Sequence, residues 1–456
     1  MVLSQENITQ NIEHIYNEWL DQDIRYVICE LADMAGMARS KIIPLSEWKR
    51  VAENGLRMIG VMVTVDSATM LVPETHYSEE RAYGDAILRP DLATAATVPW
   101  RQHMARVICD PYWPDGTPLD AAPRQVLRRV LTHLQNSGYI CKVALETEFY
   151  LMQDQVSRDP VFNGVHIFHT ARNLAAPVLT SIMDALPRMG IEVLTLNAEY
   201  GTGQYEITFR EQQGMIAADQ AYTYKQAVKD IAREQGYHAT FMTKPFPDQS
   251  ASGTHVHVSL LTQQGENAFL DSRGTYQLSD VAYHFIAGML THAPAALALL
   301  NPTPHCFERF TPHAFAPVNI SWGIDDRTSL VRARPTGDEG THLENRLPSA
   351  LSNPYLATAT TLASGLLGLQ EARMPHQLVH EPSGENTDFP ALPSSLEEAL
   401  TALEQDTALR EILGMEFTEI YLKVKRQELI RQNEYVQSRI KAAQLEWQSL
   451  EYLADY

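Results

Sequence analysis

The chain has 456 residues, 45% of them hydrophobic, and a formal charge of −20. That length and composition suit two or three globular domains around a large core and exclude a disordered chain. The negative balance argues against nucleic acid or an anionic membrane as a main partner. No stretch approaches the ~20 apolar residues of a membrane span. The start, "MVLSQENITQNIEHIYNEW", has no basic region followed by an apolar run, so the expected location is cytoplasmic.

In chain order, "ITQNIEHIYNEWLDQD" has helical spacing, with Ile8, Ile12, Ile15, Trp19 and Leu20 on one side. "IRYVICELAD" reads as a strand, "GMARSKIIP" as a turn into another, and "RMIGVMVTV" and "ARVICD" as further strands. Residues 1–110 are therefore expected to form a small α+β domain. The Pro, Gly and Asp of "DPYWPDGTPLD" mark a boundary before a larger unit, 111–456. "APRQVLRRVLTHLQNSGY" follows as a helix, with Pro near its start and Gly after its end.

Strands expected at 142–152, 192–199, 204–210 and 253–260 all carry charged or imidazole groups. "SSLEEALTALEQD" and the charged run "TEIYLKVKRQELIRQNEYVQSRIKAAQLEWQSL" read as helices, the second as a solvated surface helix. Cys29, Cys109, Cys141 and Cys306 lack CxxC spacing and read as ordinary core thiols, not a disulfide or zinc framework.

The chemistry concentrates in four places. In "VALETEFYL", Glu146 and Glu148 stand two apart on a strand and so share a face. Two like charges on an apolar strand need something positive above them, either a metal ion or Arg and Lys. In "LNAEYGTGQYEITF", the glycines between Glu199 and Glu206 permit a tight reversal that returns both carboxylates to one place. A hairpin with surface glutamates would carry the same pattern. In "SGTHVHVSL", His255 and His257 project from one strand face, as ligands or as hydrogen-bonded core histidines. "LVRARPTGDEGTHLENRLP" adds Arg332, Arg334, Glu344 and Arg346. Oxygen-rich ligands with little nitrogen and no thiolate suit Mg²⁺ or Mn²⁺. Arginines among them suit phosphate and carboxylate, and together they point to phosphoryl transfer. No Walker or kinase Gly-rich loop is present.

The ordered segments "ETEFY", "NAEYGTGQYEI", "KPFPDQSASGTHVHVSL", "NPTPHCFERFTPHAFAPV" and "ENRLPSALSNPYL" resemble the glutamine synthetase family over nearly the whole chain. The resemblance implies an α+β fold, with an N-terminal β-grasp domain and an α/β catalytic domain whose antiparallel strands form a funnel. It implies stacked rings, such as a dodecamer, with each active site shared between ring neighbours. It also implies two to three Mg²⁺ or Mn²⁺ ions per site, with ATP, glutamate and an amine as small-molecule substrates.

Carried over by motif, Glu148, Glu199 and Glu206 would hold one ion, and Glu146, His255 and Glu344 a second against the transferring phosphate. His257 and Ser259 would lie on the ATP side. Arg309 and Arg346 would bind the glutamate carboxylate and the new γ-phosphate, while Arg327 and Arg332 would face ATP phosphates. Glu344, Arg327 and Arg346 are the expected catalytic groups.

Four substrate-side residues depart from the family pattern. Phe315 stands where ammonia-using members have a glutamate that closes the site, helps bind ammonium and accepts its proton. Asn54 is the best ungapped match to the family's other ammonium-side acid. Ser250-Ala251 replaces an Asn-Gly that touches glutamate. A phenyl ring in place of a carboxylate removes a cation site and a base and supplies an apolar wall. An arylamine such as aniline is neutral near pH 7 and needs such a wall more than a carboxylate. The expected activity is therefore an ATP-dependent ligase of the γ-glutamylanilide synthetase type. The alternatives are a γ-glutamylpolyamine or alkylamide synthetase, a glutamine synthetase, or a non-catalytic relative. All six inferred metal-ligand positions are Glu or His, which speaks against the last.

Overall fold

The computed structural model describes residues 5–164, 167–311, 314–376, 378–379, 388–438, 446–447 and 449–453. It opens with the helix Gln5–Asp21. Ile12, Ile15 and Trp19 of this helix are buried, and Trp19 packs on Trp48 with ring centroids 4.8 Å apart. Ile8 and Leu20, expected on the same side, are exposed. Leu20 lies one residue, or ~100°, around the helix from Trp19, and Ile8 lies in the first turn of the helix.

The first sheet comprises β1 (Tyr26–Ala32), β2 (Ala38–Pro44), β3 (Leu56–Ile59), β4 (Asp85–Pro90), β5 (Ala96–Thr97) and β6 (Met104–Tyr112). Its order is β2-β1-β6-β4-β3, with β5 also on β6, and only β1 and β6 run parallel. The long strand expected across "RMIGVMVTV" stops at Ile59, and Gly60–Val63 is a 3₁₀ turn. The cause is close packing: a Cβ on Gly60 would fall 2.8 Å from the Trp113 ring, so the chain turns beneath that indole.

The second sheet contains β7 (Ile140–Met152), β8 (Val193–Ala198), β9 (Gln204–Phe209), β10 (Gln212–Gln213), β11 (His238–Thr240), β12 (Thr254–Leu261), β13 (Trp322–Ile324), β14 (Val331–Arg334) and β15 (His342–Asn345). Its order is β13-β14-β15-β12-β7-β9-β8, with β10 and β11 on β7. The pairs are antiparallel as expected except at β13 and β14, which run parallel. Cys141, Val143, Leu145, Thr147 and Phe149 of β7 face a core backed by the helices Gly214–Glu234 and Pro354–Glu371. Alternation then turns Ala144, Glu146 and Glu148 to the opposite, open face.

A buried guanidinium joins the two sheets. Arg124 donates to Asp91, Asp110 and Asp219 at 2.7–2.9 Å, and Tyr355 donates to the same Asp219 at 2.7 Å. All four cysteines are buried thiols.

The charged C-terminal run is helical over Met415–Gln437, but it is not a solvated helix. Phe417, Ile420, Tyr421 and Val424 are buried. Lys425 and Glu428 are buried too, because they pair at 2.9 Å, and Glu428 also accepts from the Ser67 N–H at 2.9 Å. Residues 439–445 and 448 of that run lie outside the described residues. Among the described residues, no single helix is long and apolar enough to cross a membrane.

Candidate active site

Strand register assembles the charged groups. Glu146 on β7 stands opposite His255 on β12, and Glu148 opposite Glu206 on β9. His257 stands opposite Glu344 on β15, which in turn stands opposite Arg332 on β14. Glu199 follows β8, and the hairpin through Gly203 (φ +78°) returns the chain to Glu206. Residues as distant in sequence as 146 and 344 thus share one surface because each strand shows its odd or even positions to the same side.

These groups line a cavity of about 310 Å³ that also takes in Ser250, Ala251, Arg309, Phe315, Arg327, Arg332 and Arg346. A second cavity of about 340 Å³ shares Glu146, His257 and Arg334 with it and adds Lys142, Ser259 and His342. Asn54 lines neither. It ends the helix Trp48–Asn54 on the surface, where its amide donates to the Arg50 carbonyl of the same helix. Pro312 and His313 of "TPHAFAPV" lie outside the described residues.

The metal donors group differently from the expected sets. Among the described residues, donor atoms gather within 4.8 Å in two overlapping groups, Glu146–His257–Glu344 and Glu146–Glu206–His255. His257 lies 3.2 Å from the Glu146 carboxylate, closer than His255 at 3.6 Å. Glu148 is turned instead toward the Gly253 N–H at 2.9 Å and the Gln204 amide at 3.1 Å. Glu199 accepts from Asn197 at 2.7 Å. Gln204 shares a strand face with Glu206, two residues on, so the same period that marks the glutamates could have marked it.

Electrostatics test the donor set. Burial and the neighbouring Glu199 push the Glu148 carboxyl up to about 8. Burial, then repulsion from Glu146, Glu148, Glu199 and Glu344, holds Glu206 well above the carboxylate range. Glu199 is raised by burial as well. On the other side, burial opposes ionisation of Glu344, yet His255, His257 and Arg346 hold it down to about 2. Burial and then Arg346 lower the His255 imidazole to about 4, which keeps it neutral and available as a ligand. Crowded carboxylates beside a neutral imidazole fit a divalent cation, whose charge reverses the repulsion.

The arginines are placed by acids and carbonyls. Arg332 pairs with Glu344 at 2.9 Å and with Asp325 at 2.5 Å. Arg346 pairs with Glu344 and also donates to the Phe315 carbonyl at 3.2 Å. Arg309 is buried and tied to the Leu347 carbonyl at 2.6 Å. Arg327 is exposed on the turn between β13 and β14. Of the expected site residues, then, all but Asn54 meet at one or both cavities. Phe168 and Tyr200, which the motifs did not single out, also line the first.

Residues 120–445 match the family described as glutamine synthetase, catalytic domain. The glutamine synthetase of Halobacterium salinarum is 30% identical over 99% of each chain. A glutamate–isopropylamine ligase of Pseudomonas sp. is 32% identical over 89% of this chain and 91% of its own. A solved structure titled as a GmaS/ADP complex superposes with a TM-score of 0.84 at 27% identity, over 96% of this chain and 98% of its own.

Proposed function

The chain belongs to the glutamine synthetase family, a family that uses ATP and divalent metal ions, and we propose that it joins the γ-carboxylate of glutamate to an amine other than ammonia, with an arylamine such as aniline preferred. The observation that carries this reading is Phe315. Its ring is 61% exposed and lines the charged cavity, where ammonia-using members would supply a carboxylate. An ammonium ion there would lose its water without gaining a counter-charge from that position.

The reaction has two steps. A γ-carboxylate oxygen of glutamate attacks the terminal phosphorus of ATP, forming a P–O bond and releasing ADP. The amine nitrogen then attacks the acyl carbon of γ-glutamyl phosphate, a C–N bond replaces the C–O bond to phosphate, and the amine's proton leaves with the phosphate. Divalent cations, when bound by the glutamates and histidines, neutralise charge on the phosphoryl oxygens. Arg327, Arg332 and Arg346 stabilise the same developing charge from the protein side, and Arg309 orients the glutamate. His257 and Ser259 face the second cavity, which suits the nucleotide.

An alkylamide synthetase is the second reading, favoured by the similarity to the isopropylamine ligase. The deciding experiment is ADP release with glutamate, Mg²⁺ and a panel of aniline, isopropylamine, putrescine and ammonium, with product masses recorded. Ammonium as the best substrate would overturn the proposal. Assembly into stacked rings, with residues 1–110 of one subunit walling its neighbour's site, completes the reading. Full activity from a monomer in sedimentation at assay concentration would contradict that part.

A further inference from the structure

Phe315 does not stand alone at the cavity. Phe168 and Tyr200 come from separate segments of the chain and line the same space, and all three rings are largely open, at 64, 53 and 61% exposure for Phe168, Tyr200 and Phe315. Ile167, Ala314 and Ala316 lie among them, while Arg309, Arg327 and Arg346 line the same cavity. The cavity is therefore lined both by charged groups suited to phosphoryl and carboxylate groups and by apolar ones. Rings left in contact with water gain from any apolar group that covers them.

The backbone reinforces this placement. Phe168 (φ +56°) and Phe315 (φ +53°) both occupy the left-handed region, which bulky side chains rarely adopt. Each is fixed through its main chain to the charged part of the site. The Phe168 N–H donates to the Ala198 carbonyl at 3.0 Å, one residue before Glu199, and the Phe315 carbonyl accepts from Arg346 at 3.2 Å. Tyr200 directly follows Glu199. The three rings are thereby indexed to the reacting centre, while their own faces stay open. Backbone strain kept at such a place is characteristic of a functional constraint.

We infer that Phe168 and Tyr200, with Phe315, form an aromatic collar that determines amine specificity, and that its ligand is a neutral primary arylamine. This rests on the amine-ligase reading above. A planar ring can lie against aromatic faces and edges in the offset and edge-to-face arrangements such groups prefer. Aniline also reaches the site without a proton to shed. A small alkylammonium would fill the collar poorly.

The test is steady-state kinetics of the full-length protein with aniline, isopropylamine and ammonium for wild type, Phe168→Ala, Tyr200→Ala and Tyr200→Phe. Each alanine variant is expected to raise the KM for aniline at least tenfold, with a change of less than threefold in kcat at saturating amine. The aniline-to-isopropylamine ratio of kcat/KM should fall by a similar factor, and Tyr200→Phe should restore it. If Phe168→Ala aggregates, Phe168→Gly carries the same test, because a φ of +56° suits glycine. A wild-type protein that uses aniline while both alanine variants keep its ratio to isopropylamine would overturn the collar and leave the ligase reading standing. A wild-type protein active with ammonium alone would overturn the ligase reading itself. Preference of wild type for isopropylamine would overturn the arylamine assignment.

Discussion

Arg346 holds two unlike groups at once: its guanidinium donates to the buried Glu344 carboxylate and, at 3.2 Å, to the main-chain carbonyl of Phe315. In the reaction proposed above, the charge that would steady the phosphoryl side also holds the main chain of Phe315. Under that proposal, substrate choice and phosphoryl chemistry are linked through one side chain.

Arg346→Lys should expose that link. An ammonium cannot reproduce the planar fork that reaches both partners. Hydrogen bonds to charged groups are worth ~1.5–3 kcal/mol each, so kcat/KM should fall roughly 10- to 150-fold. The aniline-to-ammonium ratio should also fall, because Phe315 loses its anchor. Lower activity with an unchanged ratio would show that Phe315 is held by something else.

The carboxylates that repel one another should make the fold sensitive to divalent cations. Mg²⁺ is expected to raise the melting temperature of wild type by several degrees, and EDTA to remove the gain. Glu148→Ala or Glu199→Ala should reduce that gain and abolish amine-dependent ADP release while leaving the oligomer intact by sedimentation. Near-normal activity in both variants would contradict their assignment as ligands.

Restoring an acid at the amine wall should reverse selectivity. Phe315→Glu places a carboxylate that must lose water beside an aromatic substrate, a cost of ~2–3 kcal/mol or roughly 30- to 150-fold. The kcat/KM for aniline should fall by about that factor, and ammonium use should rise. Identical preference ratios in the two proteins would show that position 315 does not select the amine.

Lys225 provides a pH-dependent handle outside the two cavities. Its ammonium donates to the Ala350 and Ser352 carbonyls, and burial, then Lys229, lowers its pKa to about 7 from the ordinary 10.5. Between those values the unfolded chain binds a proton that the folded chain does not. Stability should therefore rise with pH across that window, by up to ~1.4 kcal/mol per unit. Lys225→Met should flatten the rise between pH 7 and 9 in urea unfolding. An unchanged slope would mean that Lys225 is charged in the fold throughout.

Much of the site was legible because strand geometry is written in residue spacing. Glu146 and Glu148, or His255 and His257, two apart in apolar runs, could only face one way. Spacing carries no information about which strand lies next to which, so the overlap of the two donor groups at Glu146 was invisible. The same limit hid Gly253 as a hydrogen-bond donor to Glu148. The C-terminal helix misled for another reason: Lys425 and Glu428 look solvated until their i,i+3 pairing is weighed against the buried Phe417–Val424 stripe. Asn54 ends a surface helix and stands apart from both cavities of its own subunit, so its part as a wall of a neighbour's site rests on the ring assembly proposed above.

The Arg124 junction has a consequence for how substrates enter. One guanidinium grips a turn and a strand of the first sheet and a helix behind the second, and a tyrosine from another helix closes the ring. Hinging one sheet against the other would tear several charge-assisted bonds around a guanidinium that is itself only 5% exposed. The two halves therefore travel as one rigid block. Substrate entry should therefore not depend on motion of one sheet against the other, and the kinetics of turnover should carry no signature of a domain movement.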